Sequence, residues 1–149
     1  MELCNVKVET MLIGLSPLLG PELLHTLRAM GHGDEIALVD GNYPATEHAR
    51  RLIRADGIML LPMLRAVLSV LPVEAAGRAS LMNDPAQKGA IHAEMDALCA
   101  GCGQSFTLTP LAGDALYPRI KAAYAIVATS ESALYANVIL RKAALTAPT

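Results

Sequence analysis

Tryptophan is absent from the 149 residues and phenylalanine occurs once, so any flat stacking surface has to come from Tyr43, Tyr117, Tyr124 and Tyr135. Charge is scarce too, at 17% of the chain against roughly a quarter in ordinary globular proteins. Twelve basic and fourteen acidic residues leave a net charge of -2, which supplies no field to gather phosphate backbones or anionic lipid. Neither nucleic acid nor a membrane surface is expected as a partner. No apolar run reaches the roughly 20 residues of a spanning helix. The longest, Gly57 to Val73, is broken by Pro62 and Arg65 and reads as a buried helix. Met1 to Thr10 carries Glu2, Lys7 and Glu9 with no apolar core of secretory type, and is expected to be an N-terminal extension of a cytoplasmic protein.

Cysteine is sparse and odd in number, three in all, which argues for free thiols in a reducing compartment. Cys99 and Cys102 form a CxxC, with His92 one helical stretch earlier. A metal or redox site is one reading, but no second ligand pair of matching spacing accompanies it. The other reading places Cys99 in the last turn of a helix that Gly101 and Gly103 end.

What is present in excess is apolar and small. The hydrophobic share is 53%, much of it alanine, in a length that fits one domain. Some of this surface is expected to be buried between subunits of a homo-oligomer.

Pro21 and Glu22 open an apolar series at Leu23, Leu24 and Leu27, which predicts a helix that stops by Gly31. Ile36-Ala37-Leu38-Val39 is a short continuous apolar run of the kind covered on both faces of a sheet, followed by a loop at Gly41-Asn42-Tyr43-Pro44. Periodicity predicts helices over Leu60 to Leu71, Gln87 to Ala100 and Asp114 to Ala122. Strands are expected at Ser80 to Met82, Ser105 to Thr109, Tyr124 to Ala128 and Asn137 to Leu140. Strands alternating with helices specify the α/β class, one layered sheet with flanking helices. No repeat, low-complexity tract or linker divides the chain, so residues 1–149 are read as a single domain.

Chemistry can sit at few places. His32 lies between Gly31 and Gly33, after a helix and before a strand, where it is open to a small molecule and can exchange protons near neutral pH. The bland alternative is a helix C-cap bearing a solvent-facing imidazole. Asp40 ends a central strand, where ligands commonly bind in open α/β sheets; the bland alternative, a frequent one, is an Asx turn with Gly41 and Asn42. Glu74 follows Pro72 and is either a catalytic acid or a solvated surface residue. Tyr135-Ala136-Asn137 offers a flat face, a hydroxyl and an amide, groups suited to a small polyol, although such residues are also ordinary in turns.

Taken jointly, Ser16-Pro17-Leu18-Leu19 through Pro21-Glu22-Leu23-Leu24, Met30-Gly31-His32-Gly33-Asp34-Glu35-Ile36, Asp40-Gly41-Asn42-Tyr43-Pro44, Ile53-Arg54-Ala55-Asp56-Gly57 and Ala133-Leu134-Tyr135-Ala136-Asn137-Val138-Ile139-Leu140 carry a resemblance. Their order resembles that of the monosaccharide mutarotase family that includes L-fucose mutarotase and ribose pyranase, from about Met11 to Lys142. The resemblance implies an RbsD-like fold and interconversion of sugar ring forms without a cofactor or metal. It also implies that His32 is the proton donor, that Asp40 contacts sugar and that Glu74 stands where fucose enzymes usually have a catalytic Asp. Tyr117, Tyr135, Ala136 and Asn137 fall on its sugar-contacting positions. It implies a decamer of two pentameric rings with sites near subunit boundaries. The Arg that some bacterial fucose mutarotases carry about four residues before the helix Tyr has no counterpart in Ala112-Gly113-Asp114, so the sugar itself stays open.

On this reading His32 works at the ring oxygen, Glu74 at the anomeric hydroxyl, and Asp40 orients His32 or anchors sugar. Two rivals remain: a non-catalytic sugar-binding accessory of a transport or sensing system, and a redox or metal protein built on Cys99 and Cys102.

Overall fold

The two most continuous apolar runs become adjacent central strands in the computed structural model, which describes residues 11–147. In chain order the elements are α1 (Pro21–Ala29), β1 (Glu35–Val39), α2 (Ala45–His48), β2 (Leu52–Ala55), α3 (Leu60–Leu68), β3 (Val73–Ala79), α4 (Ala90–Ala100), β4 (Leu108–Leu111), α5 (Gly113–Ala122), β5 (Ala125–Thr129) and β6 (Val138–Lys142). The sheet order is β2-β5-β1-β6-β3-β4. β1 runs parallel to β5, β5 to β2 and β3 to β4, whereas β6 is antiparallel to both its neighbours, β1 and β3. Five strands therefore share one direction and β6 alone opposes them.

Side chains alternate across the sheet, so each strand feeds two cores. Ile36, Leu38, Val127, Val138 and Leu140 face one cluster, filled by Leu23 and Leu27 of α1, Leu60 to Val67 of α3 and Met95 of α4. Ala37, Val39, Ile126 and Ile139 face the other, filled by Leu116 and Ile120 of α5. Covering on both faces explains why β1 and β5 read as unbroken apolar runs. Helix ends follow local chemistry: α1 begins with Pro21 and carries Glu22 in its first turn, and α5 has Asp114 early and Arg119 and Lys121 late, matching the helix dipole.

The sequence reading differs from the structure in four places. β2 and the single-turn α2 carry no apolar pattern long enough to announce them. β3 went unread because Val73-Glu74-Ala75-Ala76-Gly77-Arg78-Ala79 is rich in alanine and holds an arginine, yet Arg78 is buried at 4% exposure and paired with Asp96 of α4 at 2.8 Å. The strand expected at Ser80 to Met82 is instead a 3-10 turn at Leu81–Asn83, with Met82 at φ 51. The strand expected at Ser105 to Thr109 forms further on, at Leu108–Leu111, and it contains Pro110, tolerated because β4 is an edge strand. The expected N-terminal extension lies outside the described residues.

Ile126 sits fully buried on β5 between β1 and β2. Ile126→Ala should lower stability by about 2–5 kcal/mol in urea denaturation, the usual cost of such a cavity. A loss well under 1 kcal/mol would contradict this placement of the core.

Candidate functional site

Because β6 opposes β1, its first residues arrive beside the last residue of β1. Asp40 is buried there. One carboxylate oxygen accepts the Asn42 N–H at 2.9 Å, the other accepts the Ala136 N–H at 3.2 Å, and the Asp40 N–H donates to Asn137 Oδ1 at 2.9 Å. The Asx turn and the tie to Tyr135-Ala136-Asn137 are thus both real. Gly41 is needed at the next position: its N–H donates to the Glu131 carbonyl at 2.8 Å, and a Cβ would lie 3.2 Å from that same oxygen.

The chain leaving β1 folds over this point and shapes a half-open cavity of about 230 Å³. It is lined by Asp40 and Asn137 from the strand ends, by Asn42, Tyr43, Pro44 and His48 from the following segment, and by Tyr117 from α5. That is below the roughly 300–1,000 Å³ of sites for drug-sized ligands, in keeping with a smaller guest. Tyr43 Oη and His48 Nδ1 are 2.9 Å apart, the two rings meet edge to face, and the Tyr43 and Tyr117 rings lie 5.9 Å apart. Burial pushes the Tyr43 hydroxyl up to about 12, helped by Tyr117, so it stays a neutral donor. Tyr117 is also raised, by burial first and then by electrostatic interaction with the nearby Asp40 carboxylate and Tyr135. Asp40 is raised above the ordinary carboxylate value by burial, while the N–H groups of Asn42, Ala136 and Tyr43 pull the other way and Glu131 adds to the rise.

His32 and Glu74 form a second constellation. The N–H of Gly31 donates to Asp34 Oδ2 at 2.7 Å, and the N–H of Gly33 donates to the Lys142 carbonyl at 2.9 Å. Gly33 takes φ +91, a conformation that favours glycine, so the loop doubles back and presents His32 outward. Its Nε2 lies 2.9 Å from Glu74 Oε1 at the start of β3, and both side chains are open to solvent.

The sequence-selected residues thus fall in two groups. Asp40, Tyr117, Tyr135, Ala136 and Asn137 come together, with Ala136 contributing its N–H. His32 and Glu74 come together at the opposite end of β1, and the Glu35-to-Asp40 span alone is roughly 17 Å at strand rise. The expectation that Asp40 orients His32 therefore does not hold within one chain. Sequence reasoning missed His48 as a cavity residue and gave Tyr43 no specific place, since neither belongs to a periodic element that would aim it.

The cysteine reading finds no support in the geometry. Cys99 is buried, and burial pushes its thiol up to about 12, away from the reactive thiolate. His92 has both ring nitrogens engaged, at Gly89 and Tyr135. Among the described residues no group of three or more His, Cys, Asp or Glu is placed to hold a metal.

Comparison with known proteins adds an independent finding. The sequence model of the RbsD / FucU transport protein family matches residues 13–145. Human fucose mutarotase is 39% identical over 143 residues, covering 89% of this chain and 93% of that protein. L-fucose mutarotase of Haemophilus influenzae strain 86-028NP is 38% identical over 138 residues, covering 89% and 96%. The crystal structure of fucose mutarotase from Streptococcus pneumoniae in complex with L-fucose superposes with a TM-score of 0.80 at 35% identity, covering 91% of this chain and all of that one.

The raised Asp40 carboxyl makes a stability prediction whose sign can be worked out. The folded chain holds this proton more tightly than the unfolded one, so as pH rises from about 4 the folded state loses stability, until Asp40 is fully ionised in both states. Asp40→Asn removes that slope, whatever constant offset its altered hydrogen bonding adds. Urea titrations of the two proteins between pH 4 and 7 should show wild type losing ground to the variant with rising pH; parallel curves or the reverse slope would contradict the buried carboxylate.

Proposed function

Because the chain belongs to the RbsD / FucU transport protein family, we propose that it is a cofactor-independent monosaccharide mutarotase, an isomerase that opens and recloses the ring of a free sugar such as L-fucose. One observation carries the chemistry, the 2.9 Å contact between His32 and Glu74. The ring oxygen and the anomeric hydroxyl of a cyclic sugar are bonded to the same carbon, so the acid and the base that open the ring must work within reach of one another. His32 delivers a proton to the ring oxygen as the ring C–O bond breaks, and Glu74 takes the proton of the anomeric hydroxyl as the aldehyde forms. Rotation about the adjacent carbon bond and reversal of both transfers give the other anomer or another ring size. Glu74, longer than the Asp usual at this place in fucose enzymes, spans the gap to the imidazole. Positioned proton transfer of this kind contributes about 10²- to 10⁴-fold, enough for a reaction that water already permits.

Recognition belongs to the Asp40 end. Asp40 and Asn137 offer acceptors and an amide donor to sugar hydroxyls, Tyr43 and His48 add a hydroxyl and an imidazole, and Tyr117 and Tyr135 supply ring faces. Since His32 and Asp40 lie at opposite ends of the sheet, a complete site takes the His32 end of one copy and the Asp40 end of another. The working protein is therefore a closed homo-oligomer, a decamer on family resemblance, with its sites at subunit boundaries. Free Cys99 and Cys102 support placing it in the cytoplasm, where thiols stay reduced. No helix among the described residues is long and apolar enough to cross a membrane.

A non-catalytic sugar-binding accessory is the second reading, favoured by the fact that the cavity forms within one chain without His32 or Glu74. Saturation-transfer NMR between the anomers of L-fucose separates the two. The purified protein should speed exchange, and His32→Ala should slow it by about 100-fold or more while sugar binding persists. Binding without faster exchange would establish the accessory reading instead, and an unaffected His32→Ala would remove His32 from the mechanism.

Assembly is tested alongside. Light scattering at working concentration should report a large homo-oligomer, and dilution to monomers should abolish exchange even where each chain stays folded. A fully active monomer would overturn the shared site.

A further inference from the structure

We infer that His92, on α4 and outside every segment that announced the site in sequence, is the positioning residue that locks Tyr135 in its left-handed backbone conformation and thereby sets the sugar-binding strand entrance. The inference rests on the mutarotase reading for its function and on geometry for its mechanism.

Tyr135 takes φ 59, one of two non-glycine residues with positive φ among the described residues. For a bulky side chain that conformation is an outlier and persists only where the surroundings hold it. The reversal at Tyr135 turns the next N–H, that of Ala136, toward Asp40 Oδ2 and brings the Asn137 amide oxygen to the Asp40 N–H. Relaxing Tyr135 would withdraw both.

What holds it is the imidazole. His92 is fully buried, its Nδ1 lies 2.9 Å from the Gly89 nitrogen, and its Nε2 lies 2.7 Å from the Tyr135 carbonyl oxygen. A backbone N–H can only donate, so Nδ1 is the acceptor. The ring proton then sits on Nε2 and donates to the Tyr135 carbonyl, which fixes the tautomer.

His92 is the third residue of α4, where a Glu or Gln commonly reaches back to the N-cap N–H. A Glu there would satisfy Gly89 but turn an acceptor on the Tyr135 carbonyl. Only a side chain with an acceptor and a donor side by side serves both, which means an imidazole or a primary amide at the same reach. The residue thus ties the start of α4 to the strand entrance across 43 positions of sequence.

Three variants test this. His92→Met removes both bonds while keeping an apolar bulk, His92→Asn keeps the Gly89 acceptor but falls short of Tyr135, and His92→Gln can make both. The Met and Asn variants should raise KM for L-fucose about tenfold, the usual scale for losing a buried hydrogen bond, with kcat changed far less. His92→Gln should restore KM to within about threefold of wild type on the same scale. Hydrogen exchange at the Ala136 amide should quicken in the Met and Asn variants and not in the Gln variant, and this readout needs no turnover. If all three keep the wild-type KM and Ala136 protection, or if Gln behaves as Met does, His92 is a packing residue and the inference is overturned. Absence of anomer exchange in wild type itself would count against the mutarotase reading, leaving the amide exchange to decide the lock.

Discussion

The Asp40 end of the protein depends on the direction of one strand. Were β6 parallel to β1, its entrance would lie at the opposite end of the sheet, and Asn137 could not meet Asp40. Running antiparallel, β6 brings together residues 97 positions apart, and the main chain makes the match: the N–H of Asp40, just after β1, on the Asn137 amide oxygen, and an N–H before β6 on the Asp40 carboxylate. The same direction carries the far end of β6 to the His32 loop, where the Lys142 carbonyl receives the N–H of Gly33. One strand thus braces both constellations while holding them apart.

Burial of Asp40 would be unfavourable without those donors. The N–H groups that point at it offset much of the cost of removing a carboxylate from water, and the residual cost appears as its raised pKa. The segment leading back to Tyr135 is tied down with comparable care. The two oxygens of Glu131 accept the N–H of Leu60, at the start of α3, and that of Ala133, while the Ser130 hydroxyl accepts the N–H of Gly57. The approach to Tyr135 is thereby fixed from the α3 side, and the His92 bond meets it from α4. Such bracing suits a site that must present hydroxyl-binding groups at fixed positions to a small, flexible guest.

Legibility in the sequence followed burial. Ile36 to Val39 and Tyr124 to Ala128 could be read because a strand covered on both faces needs an unbroken apolar run. The helices at Leu60, Ala90 and Gly113 showed their periodicity. β3 stayed hidden because alanine and glycine pack closely there, with Gly77 against Leu111, and because its arginine is neutralised by an aspartate 18 positions away. At the site, His32, Asp40 and Tyr135-Ala136-Asn137 stood out through neighbouring glycines and strand ends. The separation of His32 from Asp40 was implied by the extended strand that the two residues flank, but orientation of one by the other was still expected until the length of β1 was seen. His48 carried no local signal and His92 pointed only to the cysteine reading; each acquires its place through a partner, Tyr43 in one case and the Tyr135 carbonyl in the other.

The central claim is that proton transfer and sugar recognition come from different copies of the chain. It is tested most directly by mixing subunits. His32→Ala and Asn137→Ala chains, each inactive alone, are unfolded together, reassembled at equal amounts and assayed for anomer exchange. If a site takes His32 from one copy and Asn137 from the next, random closed oligomers should recover about a quarter of wild-type activity. A mixture as inactive as either variant alone would show that each chain carries its own complete site.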